Sequence, residues 1–561
     1  MDWQVIIKSV VLILIKGEMK FYTGKQMHLI KNCVRSVYSG CMLILCTFSA
    51  FAQTREITIN PSKTFQEIES FAASDAWSGN FVGKYWNEKQ KGQIAEWLFS
   101  QQYDLAGNPA GIGISMWRVN LGAGTLEQDS ADILPIQRRA ESFLASDGQS
   151  FDWSKCAGQQ YFMQKATEYG CNNFLLFSNS PLVQYTKNGK GWSHSAKEAN
   201  IKPDSYSNYA SFMAGVAQYF TEKKDWHIAY ISPVNEPQVK WNSPAQEGSP
   251  WKSSEMKKLY VELDKALSYS RLSNVKILAG ESAGLNYLYD TSTSLRERFS
   301  DEDAPDRQIK TFFDPQSPDY IGDLQHIPPV IAGHSYLSDK TNAAIKETRE
   351  KVKEETEKYG IRFHQSEWCM LPGLKLPIDG FTSDWKPDNY ADIQPALLLG
   401  RLVYGDLVYA GAGSWGYWKG MEVNGNHALV SLYPTNGDLE KGGLVRTNKM
   451  LWALGNYSFF IRPGYIRIDL QGADDPDTLV ASAYLAPDKS RIVAVYVNTS
   501  FKTMPVCVSF AQSRDKIIKK VSVYKTDDRS DLANMNVPEK YLPGTEYRIP
   551  PRSLITMVFD Y

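Results

Sequence analysis

Eight short apolar runs alternating with longer amphipathic stretches, then a tail of closely spaced alternating strands, predict an α/β fold: a (β/α)8 barrel with a C-terminal antiparallel β-sandwich side domain. The runs are FAASDAW (71–77), GISMWRVNLG (113–122), NNFLLFSNS (172–180), IAYISPVNE (228–236), VKILAGE (275–281), PVIAGHSY (329–336), IRFHQSEW (361–368) and GAGSWGYW (411–418). Between them lie helix-like stretches at 88–102, 205–224, 253–270, 341–360 and 392–411. Strands that alternate with helices run parallel, because each helix returns the chain to the same end of the sheet. An open doubly wound sheet is the structural alternative, but no G-x-G-x-x-G opens a helix after the first run.

Past residue 455 the texture changes to GYIRIDL, TLVASAYLAP, SRIVAVYVNT, MPVCVSFA, IKKVSVYKT and SLITMVFDY, short alternating segments with turn residues between them. Near the start, Ile57 and Ile59 alternate with polar residues and have no evident barrel partner, so this strand is expected to cross into the second sheet. The expected division is a barrel over 64–450 and a side domain formed by 53–63 together with 451–561.

The first 52 residues read as a leader. From Met27 come Lys31 and Arg35, an apolar stretch from Cys41, and Ala-Phe-Ala at 50–52, the layout of a secretory signal peptide cleaved before Gln53. Residues 1–26 then read as an over-extended frame ahead of a start at Met27, and the expected location is secreted or periplasmic. Cys46 after LIL loosely resembles a lipoprotein processing site, although a bulky Leu directly before it argues against a surface lipoprotein. Cys156, Cys171, Cys369 and Cys507 remain, too few and too scattered for a disulfide framework or a zinc site. Cys156 and Cys171 could pair, yet free core thiols are expected. With 61 Lys and Arg against 62 Asp and Glu, the net charge of -1 offers no field to hold nucleic acid. Aromatics make up 12%, which suits either a large core or the stacking of flat ligands such as sugar rings.

In a (β/α)8 barrel the reacting groups stand at the C-terminal ends of the strands, so polar residues that close apolar runs are the ones to weigh. Glu236 closes the fourth run and Glu367 the seventh. An average Glu caps a helix or joins a surface ion pair. Two at opposite sides of a barrel mouth, however, can face each other across a substrate, the layout of a glycosidase. Asp75 and Glu281 also close runs and are expected to supply supporting hydrogen bonds. His334 is a metal ligand by type, but it has no partner at ligand spacing and is placed in the barrel wall, so no metal is expected. Trp77, Trp241, Trp385, Trp415 and Trp418 are candidate stacking surfaces, with Trp241 and Trp415 preferred.

Asn235-Glu236-Pro237 resembles the acid/base motif of clan A glycoside hydrolases, and from about residue 56 onward the chain is similar to glycoside hydrolase family 30. FSNSPLVQ (177–184), which contains Asn179, AGHSY (332–336), HQSEW (364–368) and LGNYSFFIRPG (454–464) resemble that family's segments in order. The resemblance implies Glu236 as acid/base, Glu367 as nucleophile, Arg118 and Tyr336 as partners of the nucleophile, and Asn235 on the sugar 2-hydroxyl. It further implies a cofactor-free retaining enzyme, a monomer acting on a polysaccharide or oligosaccharide. ASDAWSG, WRVNLGAG and QEGSPW most resemble the endo-β-1,6-galactanase-like branch, with β-1,6-glucan, glucuronoxylan and simple β-glucosides or β-xylosides left open. A silent carbohydrate-binding protein on the same fold is the rival of another class, and an adhesion or scaffold module built on the C-terminal sheet is a further one.

Overall fold

The computed structural model describes residues 54–128, 134–371, 392–423, 428–511, 518–535 and 544–561. The leader at 1–52 and Trp385 therefore lie outside the described residues. The strands of the first part are β1 (Arg55–Ile68), β2 (Ser70–Ser74), β3 (Met116–Asn120), β4 (Phe174–Phe177), β5 (Ile228–Ser232), β6 (Lys276–Ile277), β7 (Ala279–Ser282), β8 (Val330–His334), β9 (Arg362–Glu367) and β10 (Ser414–Tyr417). β2 to β10 form one parallel sheet in the order β6-β5-β4-β3-β2-β10-β9-β8-β7. β6 and β7 are one strand interrupted at Leu278, so the sheet wraps round to the eight-stranded barrel that the alternation predicts.

Strand lengths are shorter than the apolar runs, and the difference matters at the fourth. β5 stops at Ser232 because Pro233 has no N–H for the ladder, so Glu236 stands in the following loop instead of on the strand. Side chains cap the start of three of the helices between strands. Asn87 accepts from the Gln90 N–H, Thr341 from that of Ala344 and Asp392 from that of Gln394.

After β10 comes a small sheet that the sequence analysis did not foresee, built of β11 (Lys419–Val423), β12 (Ala428–Pro434) and β13 (Gly443–Thr447). The helix Lys449–Ser458 then leads into β14 (Tyr465–Gln471), β15 (Asp474–Asp475), β16 (Leu479–Leu485), β17 (Arg491–Asn498), β18 (Met504–Phe510), β19 (Lys520–Asp527), β20 (Ser530–Met535), β21 (Glu546–Ile549) and β22 (Ser553–Asp560). β1 lies between β14 and β18 in that second sheet, antiparallel to the first and parallel to the second. Ile57, Ile59, Ala481, Ile492, Val506 and Met557 fill its own core.

The opposite parity of the same strands, Val480, Tyr484, Val495 and Leu554, joins the barrel's core. Both faces are covered, which is why SRIVAVYVNT reads as a nearly unbroken apolar run. The joint is the helix Ile393–Val408, buried almost all round. A Cβ at Gly400 would come within 2.7 Å of Leu554 and 3.1 Å of Val497, so only glycine lets this helix lie so close to the sheet.

Asp406 on that helix takes hydrogen bonds from Arg349 Nε (2.7 Å), Ser335 Oγ (2.9 Å) and Trp415 Nε1 (2.9 Å), all buried. Removing its charge leaves the Arg349 guanidinium buried without its partner. Asp406→Ala is expected to lower unfolding stability by about 3–5 kcal/mol, read from urea denaturation curves.

Candidate active site

Strand parity decides which side chains reach the barrel axis. On β3, Trp117 turns outward onto Phe99, with ring centroids 5.1 Å apart, so Arg118 turns inward. On β8 and β9, His334 and Glu367 are register partners and share the inner face. Two irregularities aim further groups at the same point. The register with β8 slips between Gly280 and Ser282, where Gly280 has φ 100° and Glu281 φ 54°, a bulge that turns Glu281 inward. A Cβ on Gly280 would stand 2.6 Å from the Ala332 carbonyl. A second slip, between Gly333 and His334 on β8, leaves Ser366 as the extra residue on β9.

Five charged groups meet there. Arg118 Nη1 donates to Glu367 Oε2 at 2.5 Å, and Arg118 Nη2 donates to Glu281 Oε2 at 3.2 Å. His334 bridges Glu236 Oε1 through Nδ1 (2.9 Å) and Glu281 Oε2 through Nε2 (2.8 Å), with Glu367 Oε1 3.7 Å from Nδ1. The Tyr336 hydroxyl donates to Glu367 Oε1 at 3.1 Å and Ser366 Oγ to Glu281 Oε2 at 3.0 Å. Carboxylate oxygens of Glu236 and Glu367 and a nitrogen of His334 all lie within 4.8 Å of one another. Glu236 has φ 44°, a left-handed backbone uncommon for a side chain of its size, and its N–H is anchored on the Glu281 carbonyl at 2.9 Å.

The electrostatics follow from burial and pairing. Burial opposes protonation of His334, but the charges of Glu367, Glu236 and Glu281 outweigh it and raise its pKa to about 10. Burial likewise opposes ionisation of Glu281, and Arg118 and His334 reverse that, bringing it down to about 2. The Glu367 carboxyl is pushed up by burial and by the charge of Glu236, against the pull of His334 and Arg118. By ligand type Glu236, His334 and Glu367 could hold a metal. An imidazolium whose two N–H groups each point at a carboxylate has no lone pair to offer one, and its own charge occupies the place.

These groups open onto a cavity of about 420 Å³ walled by Asn235, Glu236, Trp241, Tyr336, Glu367 and Trp418 among others. Asn235 is 3% exposed and its Oδ1 has no hydrogen-bond partner among the described residues, an acceptor left for a ligand hydroxyl. Trp241, at φ 46°, donates from Nε1 to the Glu236 carbonyl at 3.1 Å.

The expectation for Trp415 does not hold. It is fully buried and faces Asp406 in the helix layer, because it shares the outward parity of β10 with Tyr417; Trp418, just beyond the strand, has the parity that reaches the cavity. Trp77 meets Trp418 edge-on at 5.6 Å, supporting it from behind. Asp75 and Asn179 also stay out of the cavity. Asp75 accepts from the Asn120 N–H (2.9 Å) and from Gln159 (2.8 Å), and Asn179 donates to Asn120 Oδ1 at 3.2 Å, so both brace the end of β3. Burial raises Asp75 to about 7 in spite of those donors. Cys156, Cys171 and Cys369 are buried and Cys507 is half-buried, and none of the four is in a disulfide among the described residues. Glu281 is more central than its place at the end of a run indicates, and Arg138, which lines the cavity, carries no strand-end signal in the sequence. The Gly280-Glu281 pair inside an apolar run was the available signal for the bulge.

Comparison with known proteins decides the class. The family described as O-glycosyl hydrolase family 30 matches residues 54–430. The chain belongs to that family. Glu236 and Glu367 stand at the mouth of its barrel. An endo-beta-1,6-galactanase from Hypocrea rufa is 28% identical over 277 residues, 46% of this chain and 55% of that protein, so the chain spans about half the length of this curated relative. A conserved exported protein from Bacteroides fragilis superposes with a TM-score of 0.81 at 31% identity, over 90% of this chain and 100% of its own. The catalytic domain of GH30 xylanase C from Talaromyces cellulolyticus shares the fold, with a TM-score of 0.62 at 20% identity over 90% of this chain and 100% of its own.

The raised pKa of His334 has a definite sign in folding. Its contribution is complete below its ordinary value of 6.5 and is lost as pH rises through about 10, whereas that of Glu281 is present above 4.5 and is lost as pH falls through about 2. Between about pH 7 and pH 10 this protein is expected to lose more stability than His334→Gln, which lacks the titrating group; denaturant midpoints at both ends of that range measure it.

Proposed function

We propose that this family 30 hydrolase is a retaining β-glycosidase in which Glu367 attacks the anomeric carbon and Glu236 is the acid/base. The observation that carries the reading is the approach of Glu236 and Glu367 carboxylate oxygens to within 4.8 Å across an open cavity. Retaining pairs stand about 5–5.5 Å apart, and inverting pairs about 6.5–9.5 Å, to leave room for water. Three carboxylates against two cations leave the cluster one negative charge. Burial, and then the charge of Glu236, raise the Glu367 carboxyl, and the charges of His334 and Arg118 oppose that rise and favour the ionised form a nucleophile needs.

Glu236 then protonates the leaving oxygen as Glu367 forms the glycosyl ester, and in the second half Glu236 takes a proton from the water that cleaves it. Arg118 and Tyr336 hold the two oxygens of Glu367 in line, and the free acceptor of Asn235 meets the sugar 2-hydroxyl. The likeness to the Hypocrea rufa enzyme supports β-1,6-linked galactan as the substrate, and the exported Bacteroides fragilis relative supports the leader reading of residues 27–52, with action outside the cytoplasm.

The direct test incubates the mature chain with β-1,6-galactan, β-1,6-glucan, xylan and aryl β-glycosides and follows the anomer first released by NMR. Retention on β-1,6-galactan is expected; release from none of them, or inversion, removes the reading. Glu367→Ala should lose about 10⁴-fold or more in kcat and recover in part with azide, which replaces the missing nucleophile. Glu236→Ala should lose about 10²–10⁴-fold on the polysaccharide and far less on aryl glycosides whose leaving group needs no proton.

A further inference from the structure

Two strings that the reaction leaves unused, the end of WRVNLGAG and QEGSPW, meet at one buried acid. Glu247 is 0% exposed and accepts from the Ala123 N–H (3.2 Å to each oxygen) and from Thr125 Oγ1 (2.5 Å). The Thr125 oxygen accepts in its turn from the Ala140 N–H at 3.1 Å, so its own proton is left for Glu247. These donors are neutral, and burial raises the Glu247 carboxyl to about 7 in spite of them. An acid in such a place is costly, and an apolar group would spare that cost. What the acid ties together accounts for its presence.

Three loops converge on it. Ala123 and Thr125 follow β3, Gly191 and Ser193 follow β4, and Trp241 to Gly248 follow β5. A Cβ on Gly191 would stand 2.4 Å from Thr125 Cγ2, and one on Gly248 would stand 2.3 Å from Trp241 Cδ2, so the indole rests on the backbone next to Glu247. The Gly248 N–H donates to the Gly191 carbonyl at 2.8 Å and the Ser193 N–H to the Trp241 carbonyl at 2.8 Å, which closes both ends of the segment. Between those ends residues 242–245 are exposed. Trp241 itself has φ 46°, a backbone that persists only with support from its surroundings.

The structure assigns Glu247 as a positioning residue: its buried bonds to the loop after β3 hold the Glu247–Gly248 backbone as the seat of the Trp241 indole, and so fix that wall of the cavity against the sugar. The assignment rests on the glycosidase reading of the cavity. Glu236 has an anchor of its own, its N–H on the Glu281 carbonyl, so a displaced Trp241 changes substrate binding more than proton transfer.

The test compares the full chain with Glu247→Gln, with Thr125→Val, which deletes the donor, and with Thr125→Ser, which keeps it, each with and without Trp241→Ala. On whichever glycan is hydrolysed, Glu247→Gln and Thr125→Val should raise KM about tenfold with kcat changed less than about threefold, and Thr125→Ser should match the unaltered protein. In the Trp241→Ala background the same changes should have no further effect on KM. Equal losses in both backgrounds, a loss confined to kcat, or a Thr125→Ser as impaired as Thr125→Val overturns the assignment. The Thr125 pair reads the same contact if Glu247→Gln does not fold. Fluorotryptophan labelling reads the seat without substrate: the fluorine resonance missing from Trp241→Phe should shift in Glu247→Gln and Thr125→Val but not in Thr125→Ser. A shifted resonance with no glycan hydrolysed removes the glycosidase reading and keeps the seat; an unmoved resonance with a glycan hydrolysed removes the seat alone.

Discussion

Arg118 is the group on which the site depends. It is 1% exposed, its guanidinium lies 3.8 Å from the Phe177 ring centre, and its two terminal nitrogens reach different acids, Glu367 and Glu281. A cation buried so deeply is tolerable only with charge-assisted partners, and each partner must be buried with it. Glu281 in turn requires a second donor, which His334 supplies, and His334 requires an acceptor on its other face, which is Glu236. One buried guanidinium thus links Glu236 and Glu367 through a continuous chain of contacts. Water that would otherwise screen these charges is replaced by fixed partners, the condition under which electrostatics contribute most to catalysis.

Holding that chain in place distorts the backbone around it. Glu236, Trp241, Glu281 and Leu337 all have positive φ, and each flanks or lines the cavity or the charge cluster beneath it. Bulges on two of the barrel strands turn Glu281 inward and bring Ser366 Oγ to donate to its Oε2. The surroundings determine these conformations so fully that the strain persists. Behind the cluster a second buried group of charges, Asp406 with Arg349, also receives Ser335 and Trp415 and so pins the ends of β8 and β10 from the helix side. The side sheet contributes by packing against the helix that carries Asp406, which connects a domain without reacting groups to the geometry of the site.

Much of this arrangement could be read from the chain. Asn235-Glu236-Pro237 and His364 to Trp368 are local strings, and the apolar runs before them say which end of a strand they close. Tyr336 closes an apolar run in the same way, whereas Arg118 lies within one and was legible through the family resemblance. Trp415 was misread because parity cannot be counted reliably until the paired residue is known, and its register partner Gln365 belongs to the outer face. Glu281 was undervalued because a bulge has no fixed signature beyond a glycine, and Arg138 follows no strand at all. The sheet β11–β13 went unseen because its segments are short and mixed with turns.

What the sequence by itself determined, then, is the order of elements, the barrel with its side sheet, and the two acids that face each other, because periodicity and strand-end position are properties of neighbours along the chain. What the tertiary structure alone decided is where side chains point: Glu281 inward, Trp415 outward, and Arg138 onto Trp77 at the cavity wall. Direction depends on register and bulges between strands that are far apart in sequence, and a one-residue slip sends a side chain to the opposite face.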